Sequence, residues 1–186
     1  MSRFDNRSRV STYTQSWVGG EPDFGAFESI ATTTLSTATA SVTFSSIPAD
    51  YKHLQIRGLQ KMTAGDRWTW VQFNGDSGTN YSYHSLRGNG STVSANGQAM
   101  AESYGRISIS ATQFGGIVVD ILDYRNTSKL KVVRSLYGYD NNGSGTVGLN
   151  SSAWNNTNAI TSIVIGCEGS DTYTQYSSFA LYGIKG

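Results

Sequence analysis

The sequence contains few of the residues that cross-link a small protein or give it a charged surface. Among its 186 residues Cys167 is the only cysteine, so no disulfide can form within the chain. Only 15% of the residues are charged and the net charge is +1, which does not provide the basic face typical of nucleic-acid-binding proteins. We therefore expect no nucleic-acid partner, and a fold that is stabilised by packing or by oligomerisation.

Long apolar runs are also missing. No segment approaches the roughly 20 apolar residues that a membrane-spanning helix needs. The arginines near the N-terminus are not followed by the apolar stretch of a secretion signal. These absences predict a protein that has no membrane partner and is made in a cytoplasm.

Catalytic groups are scarce. The two histidines are His53 and His84, and His84 has no acidic neighbour in sequence that would orient it as a base. Asp120 and Asp123 have an odd spacing, which puts them on opposite faces of a strand, where they cannot act together on one sugar. We therefore expect no enzymatic activity and no cofactor.

Two loops superficially resemble calcium-binding loops. Residues 74–78 and 140–144 are rich in Asn, Asp and Gly, but both lack the downstream glutamate of an EF-hand. Turn formation explains these residue types better, so we predict no metal site. Loss of thermal stability on adding EDTA would reopen that question.

The residues that are abundant favour strands and turns. Aromatic residues make up 12% of the chain, glycine occurs 21 times, and proline only twice. β-Branched and aromatic runs separated by Gly, Asn and Ser are typical of antiparallel sheets. The pattern predicts about ten strands, an all-β antiparallel sandwich with jelly-roll-like topology over residues 25–186, and a loop at about 91–100.

The clearest hairpin extends from Gly116 to Tyr139. Its first strand is apolar on both faces, which is typical of a strand in the centre of a sheet. A turn centred near Thr127 places Asp120 opposite Arg134 and Asp123 opposite Lys131. Each pair would contribute roughly 0.2–1 kcal/mol and help to fix the register.

Aromatic side chains also cluster on another predicted hairpin. The sequence places them on facing strands around residues 74–76, where aromatic faces could stack on sugar rings. Core packing with cross-strand aromatic pairing is the alternative for the same residues. The possible glycan-binding residues are Trp68, Trp70, Tyr81 and Tyr83.

The first 24 residues differ in composition from the rest. Arginine, asparagine, serine and threonine dominate, and Gly19-Gly20 with Pro22 forms a joint before the first predicted strand. We interpret residues 1–24 as an extended arm, which as an isolated tail would be disordered. Its candidate contact residues for a capsid are Arg3, Phe4, Arg7, Arg9, Tyr13 and Trp17.

Several segments together resemble a family of tailed-phage virion proteins common in aquatic phages, cyanophages included. They are residues 40–54 (ASVTFSSIPADYKHL), 73–81 (FNGDSGTNY), 119–124 (VDILDY), 154–163 (WNNTNAITSI) and 179–185 (FALYGIK). The resemblance covers about residues 27–186. It implies a β-sandwich that forms trimers, with no catalytic residues to carry over, and serves as a capsid cement (decoration) protein or as a distal module of a tail fibre or spike.

The short predicted arm favours the capsid role over the tail role. Because the sandwich is predicted to begin after about two dozen residues, we expect direct attachment to a shell. The expected function is therefore that of a homotrimeric cement protein on the outer capsid surface, with the major capsid protein as partner. The alternative is a receptor-binding module of a tail fibre or tailspike that recognises a host surface glycan.

Overall fold

The computed structural model describes residues 26–186, and the predicted arm, including all six of its candidate contact residues, lies outside that range. Within it the chain forms twelve strands and no helix, hence no helix that could cross a membrane. The strands are β1 (Phe27–Thr34), β2 (Ser41–Phe44), β3 (His53–Gln60), β4 (Arg67–Phe73), β5 (Tyr81–Gly88), β6 (Val93–Glu102), β7 (Gly105–Ser110), β8 (Gly115–Leu122), β9 (Lys131–Asp140), β10 (Gly145–Trp154), β11 (Ile163–Cys167) and β12 (Ser178–Ile184).

The strands form two antiparallel sheets. One has eight strands in the order β1-β12-β3-β8-β9-β10-β5-β6, and the other has four in the order β2-β11-β4-β7. The predicted all-β antiparallel sandwich is thus confirmed. The jelly-roll connectivity stays a prediction.

Alternating side chains from the two sheets fill the space between them. On β4, Val71 and Phe73 are fully buried whereas Trp68 and Trp70 point the other way and are half-buried, as the sequence pattern predicts. Ile163 is likewise buried with the other odd-numbered residues of β11. Each such burial stabilises the fold by roughly 1.5–3 kcal/mol, so the alternation is what specifies the two layers.

The predicted register of the β8–β9 hairpin is correct, but neither of its two predicted ion pairs forms. Asp120 accepts instead from Gln55 Nε2 at 2.8 Å. Asp120 lies opposite Arg134, but the ladder ends at Leu122 and Asp123 leaves it with a φ of 47°. The Asp123 carboxylate instead binds Lys129 at 2.9 Å and Lys52 at 3.2 Å. Lys131 is fully buried, and its ammonium donates to backbone carbonyls at residues 126, 129 and 157.

The predicted hairpin of β4 and β5 is wrong. Asn74 and Gly75 do have positive φ values, 53° and 71°, as a tight turn requires. The chain nevertheless crosses from one sheet to the other at this point, because β4 pairs with β11 and β7 while β5 pairs with β10 and β6.

The loop predicted at about 91–100 is also wrong, since most of it belongs to β6. This strand pairs with β5 from Val93↔Gly88 to Glu102↔Tyr81, with an irregularity between Tyr81 and Tyr83. Nearly all of its side chains are exposed. A strand at the edge of a sheet needs no apolar alternation when neither of its faces is covered, which explains why its sequence reads as a loop.

Candidate functional site

Two of the predicted glycan-binding aromatic residues lie together, but a third side chain covers the faces of their rings. The rings of Trp68 and Tyr83 have centroids 5.7 Å apart. The Arg106 guanidinium lies 4.9 Å from the Trp68 ring centroid and 4.6 Å from that of Tyr83. Such cation–π contacts stabilise the pairing of the strands and use ring faces that a sugar would need.

Arg106 is itself held by two carboxylates. Its Nη2 lies 3.3 Å from Glu102 Oε1 and 3.9 Å from Glu168 Oε1. The carboxylates neutralise a largely buried guanidinium, since only 17% of the Arg106 side chain is exposed. This group of charges and rings lies where the edge strands β6 and β7 of the two sheets meet β4 and β5, and we interpret it as structural.

The other two predicted aromatics lie elsewhere. Trp70 stacks on Tyr104, with centroids 5.2 Å apart and an angle of 22° between the rings. Tyr81 is fully buried; its hydroxyl accepts from the Phe73 N–H at 3.0 Å and donates to the Asp76 carbonyl at 3.2 Å. Burial raises the pKa of Tyr81 well above its ordinary value of 10.0. Tyr81 therefore presents no face to a ligand, and the four residues do not form one site.

The reactive side chains are engaged structurally. His53 Nδ1 accepts the backbone N–H of Asp123 at 2.9 Å. Cys167 is buried, and this burial raises the pKa of its thiol to about 12, so it carries no thiolate at neutral pH. Between residues 26 and 186 no group of three or more His, Cys, Asp or Glu side chains is placed to hold a metal ion.

The outer face of the eight-stranded sheet is the most unusual surface of the molecule. Leu86 of β5 pairs with Leu149 of β10, Leu149 pairs with Leu136 of β9, and Leu136 pairs with Val118 of β8. The three leucines are 49%, 54% and 51% exposed. Directly paired residues on one face of a sheet lie side by side, so these four form a continuous apolar row across four strands.

Further apolar side chains extend this row on both sides. Four more exposed residues project from the same face, namely Leu59, Val93, Val132 and Val147. Full burial of one Leu or Val side chain is worth roughly 1.5–3 kcal/mol, so each half-exposed residue forgoes about 1 kcal/mol while the face stays in water. A contiguous apolar surface of this kind indicates an interaction site.

Part of this face is concave. A cavity of about 630 Å³ lies on β6, β5, β10 and β9, with Leu86, Ala95 and Leu149 among its apolar residues and His84, Arg134 and Ser151 among its polar ones. Leu86 and Leu149, two residues of the apolar row, therefore line a shallow trough that can receive a complementary protein surface.

One sequence signal for this face lies in β8. The two-sided apolar pattern of β8 predicts a central strand, and β8 is central, between β3 and β9. Its odd-numbered residues, such as Val119, are buried between the sheets, whereas Val118 and Leu122 lie half-buried on the outer face. The second apolar face of β8 is thus not covered by any strand between residues 26 and 186.

A second concavity lies at one end of the sandwich and is polar. Loops after β3, β5, β7 and β9 converge there around a cavity of about 730 Å³. Its polar residues include Asp66, Arg87, Asn89, Gln113 and Asn141, together with Tyr139. Arg87 Nη1 lies 3.5 Å from Asp66 Oδ1, and Arg87 Nε donates to Ser94 at 3.1 Å. Sequence reasoning missed this cavity because its residues come from four separate loops.

Comparison with known proteins adds no assignment. No protein-family model matches the chain, and the searches of curated proteins and of solved structures found no match either.

Proposed function

We propose that this chain is a non-enzymatic structural protein of a tailed-phage virion, a trimeric cement protein on the outer surface of the capsid. The resemblance of residues 27–186 to aquatic-phage virion proteins, cyanophage proteins included, supports the virion role. The antiparallel sandwich of the described residues agrees with the fold that this resemblance implies.

The observation that carries the proposal is the apolar outer face of the eight-stranded sheet. Its Leu86, Leu136 and Leu149 form a row that gains free energy only when another surface covers it. Arg106, by contrast, is neutralised within the sandwich by Glu102 and Glu168. A chain that exposes an apolar sheet face is suited to association.

In this mechanism the arm and the sandwich act together. Residues 1–24 bind the major capsid protein while the sandwich body bridges neighbouring capsid subunits, which opposes the outward pressure of packaged DNA. A trimer supplies three arms, so weak individual contacts add up as avidity.

Deletion of residues 1–24 tests the role of the arm. We expect a folded assembly of unchanged subunit number that no longer binds capsids lacking the protein, measured by co-sedimentation. The full-length variant with Arg3, Arg7 and Arg9 changed to Ser should bind weakly. Its matched control, with Ser2, Ser8 and Ser11 changed to Ala, should bind normally. Normal decoration by the truncated protein would refute the role of the arm.

A second candidate function is glycan recognition by a tail-fibre or tailspike module. The polar cavity at the loop end favours it, because amide, hydroxyl, carboxylate and guanidinium groups converge there beside Tyr139. This function predicts that the purified protein binds a host surface polysaccharide and that Arg87→Ala weakens the binding. Gln55→Ala, on the sheet face, is the matched control and should bind as the unmodified chain does.

A further inference from the structure

The outward-facing side chains of the eight-stranded sheet contain very few charges. Along its eight strands this face holds two arginines and two aspartates, namely Arg57, Arg134, Asp120 and Asp140. The Arg57 guanidinium lies over the rings of Phe27 and Tyr182, 4.9 Å and 5.5 Å from their centroids. The cores of protein–protein interfaces are likewise apolar and depleted of charged residues.

The size of the face suits a stable interface. An eight-stranded sheet with strands about 4.8 Å apart and roughly 20 Å long presents a face on the order of 800 Å². That is about the area that each partner buries in a stable protein–protein complex of standard size. One copy of this sheet can therefore supply one whole side of such an interface.

The charges on the face argue against the chain's own arm as its occupant. Arg57 and Arg134 are balanced by Asp120 and Asp140, so the face has no excess negative charge that would attract the arginines of the arm. Both acidic groups already accept hydrogen bonds, Asp120 from Gln55 Nε2 at 2.8 Å and Asp140 from the Asn142 N–H at 2.8 Å. A second copy fits better, because Asp120 and Arg134 lie directly opposite each other, so the face carries both signs for an identical surface to match.

We propose that the outer face of the eight-stranded sheet binds a neighbouring copy of this chain through the row of Leu86, Leu149, Leu136 and Val118. This inference rests on the proposed function only for its self-association. Its experiment uses purified protein without capsids, so its failure leaves capsid binding to be decided separately.

Thiol accessibility tests the surface without disrupting it. The native Cys167 is buried and should not react with a maleimide. The substitution Leu149→Cys introduces a thiol on the sheet face, which a maleimide can reach only when that face is uncovered. We expect it to react at least about tenfold more slowly than the thiol introduced by Tyr176→Cys, since access then requires opening of the interface. Tyr176 lies in the turn before β12, outside the strands of the sheet, and is 67% exposed.

Subunit mass from light scattering completes the test. Leu136→Asp should convert the multimer to a monomer, whereas Tyr176→Asp should leave the mass unchanged. Circular dichroism verifies folding, and Leu136→Gln replaces Leu136→Asp if the latter does not fold. A monomeric unmodified protein, a multimer that survives both Leu136 variants, or equal labelling of the two introduced thiols would overturn the inference. A protected thiol on a monomer would also overturn it, because the chain would then be covering its own face.

Discussion

Asp76 links the two sheets, and its replacement by asparagine is the sharpest test of how the sandwich is joined. Asp76 Oδ2 accepts from Trp154 Nε1 at 2.7 Å, and Oδ1 accepts from the Gly78 N–H at 2.9 Å. Asn80 Nδ2 donates to both oxygens, at 3.2 Å and 3.0 Å. The connection that carries the chain from β4 in one sheet to β5 in the other is thus built around this carboxylate.

The magnitude follows from the charge on these hydrogen bonds. A hydrogen bond to a charged group contributes about 1.5–3 kcal/mol, and asparagine keeps only one acceptor oxygen. We expect Asp76→Asn to lower the free energy of unfolding by about 2 kcal/mol at pH 7. For a chain of this size that is a fall in Tm of about 4–8 °C. The measurement is thermal unfolding by circular dichroism at one fixed protein concentration.

The pH dependence gives the same prediction a second readout. The Trp154 hydrogen bond lowers the pKa of Asp76 below its ordinary value of 3.8. Its stabilisation is therefore complete above pH 3.8 and is lost as the pH falls through the lower pKa of the folded state. The Tm difference between the unmodified chain and Asp76→Asn should narrow as the pH falls below 3.8.

A matched control separates this effect from a general effect of charge. Asp66 has a side chain that is 80% exposed, with Arg87 at 3.5 Å, so Asp66→Asn should change the free energy of unfolding by about 0.5 kcal/mol or less. Equal Tm values for Asp76→Asn and the unmodified chain at pH 7 would refute the reasoning. A difference that stays constant below pH 3.8 would do so as well.

Two further substitutions and one labelling experiment test the packing. Gly166→Ala would place a Cβ 2.2 Å from Trp70 Cζ2, so it should cost about 1–3 kcal/mol of stability in thermal unfolding, and no loss would contradict this packing. Gly116→Ala, whose Cβ would meet no atom within 4 Å, is its control and should be neutral or slightly stabilising. Cys167 should resist a disulfide reagent in the folded protein at neutral pH and react only on unfolding, whereas rapid reaction would show that the thiol is not buried.

The sequence predicts those parts of the fold that depend on local patterns of residues. The alternation of Trp68 and Trp70 with Val71 and Phe73 identifies the buried face of β4, because successive side chains of a strand point to opposite sides. The register of the β8–β9 hairpin follows in the same way from the position of its turn, which pairs Asp120 with Arg134.

The errors arise where distant segments decide the structure. The turn at Asn74 and Gly75 has the chemistry of a hairpin, yet β4 and β5 belong to different sheets because each finds its partners far away in sequence. Strand β6 exists because the edge of β5 pairs with it, not because its own residues alternate.

The candidate site was harder to predict than the fold. Leu86, Leu136 and Leu149 each lie in a strand that the sequence identifies, but only the sheet order brings them into one row. Aromatic composition directed attention to Trp68 and Tyr83, whose rings pack against Arg106 instead. Which residues share a surface depends on strand order, and a single sequence does not provide that order.

The copy number of this chain in purified virions, measured by quantitative mass spectrometry against the major capsid protein, tests the central claim most directly. A cement protein that occupies sites over the whole shell predicts hundreds of copies per particle. A few dozen copies or fewer would place the chain in the tail and contradict the account.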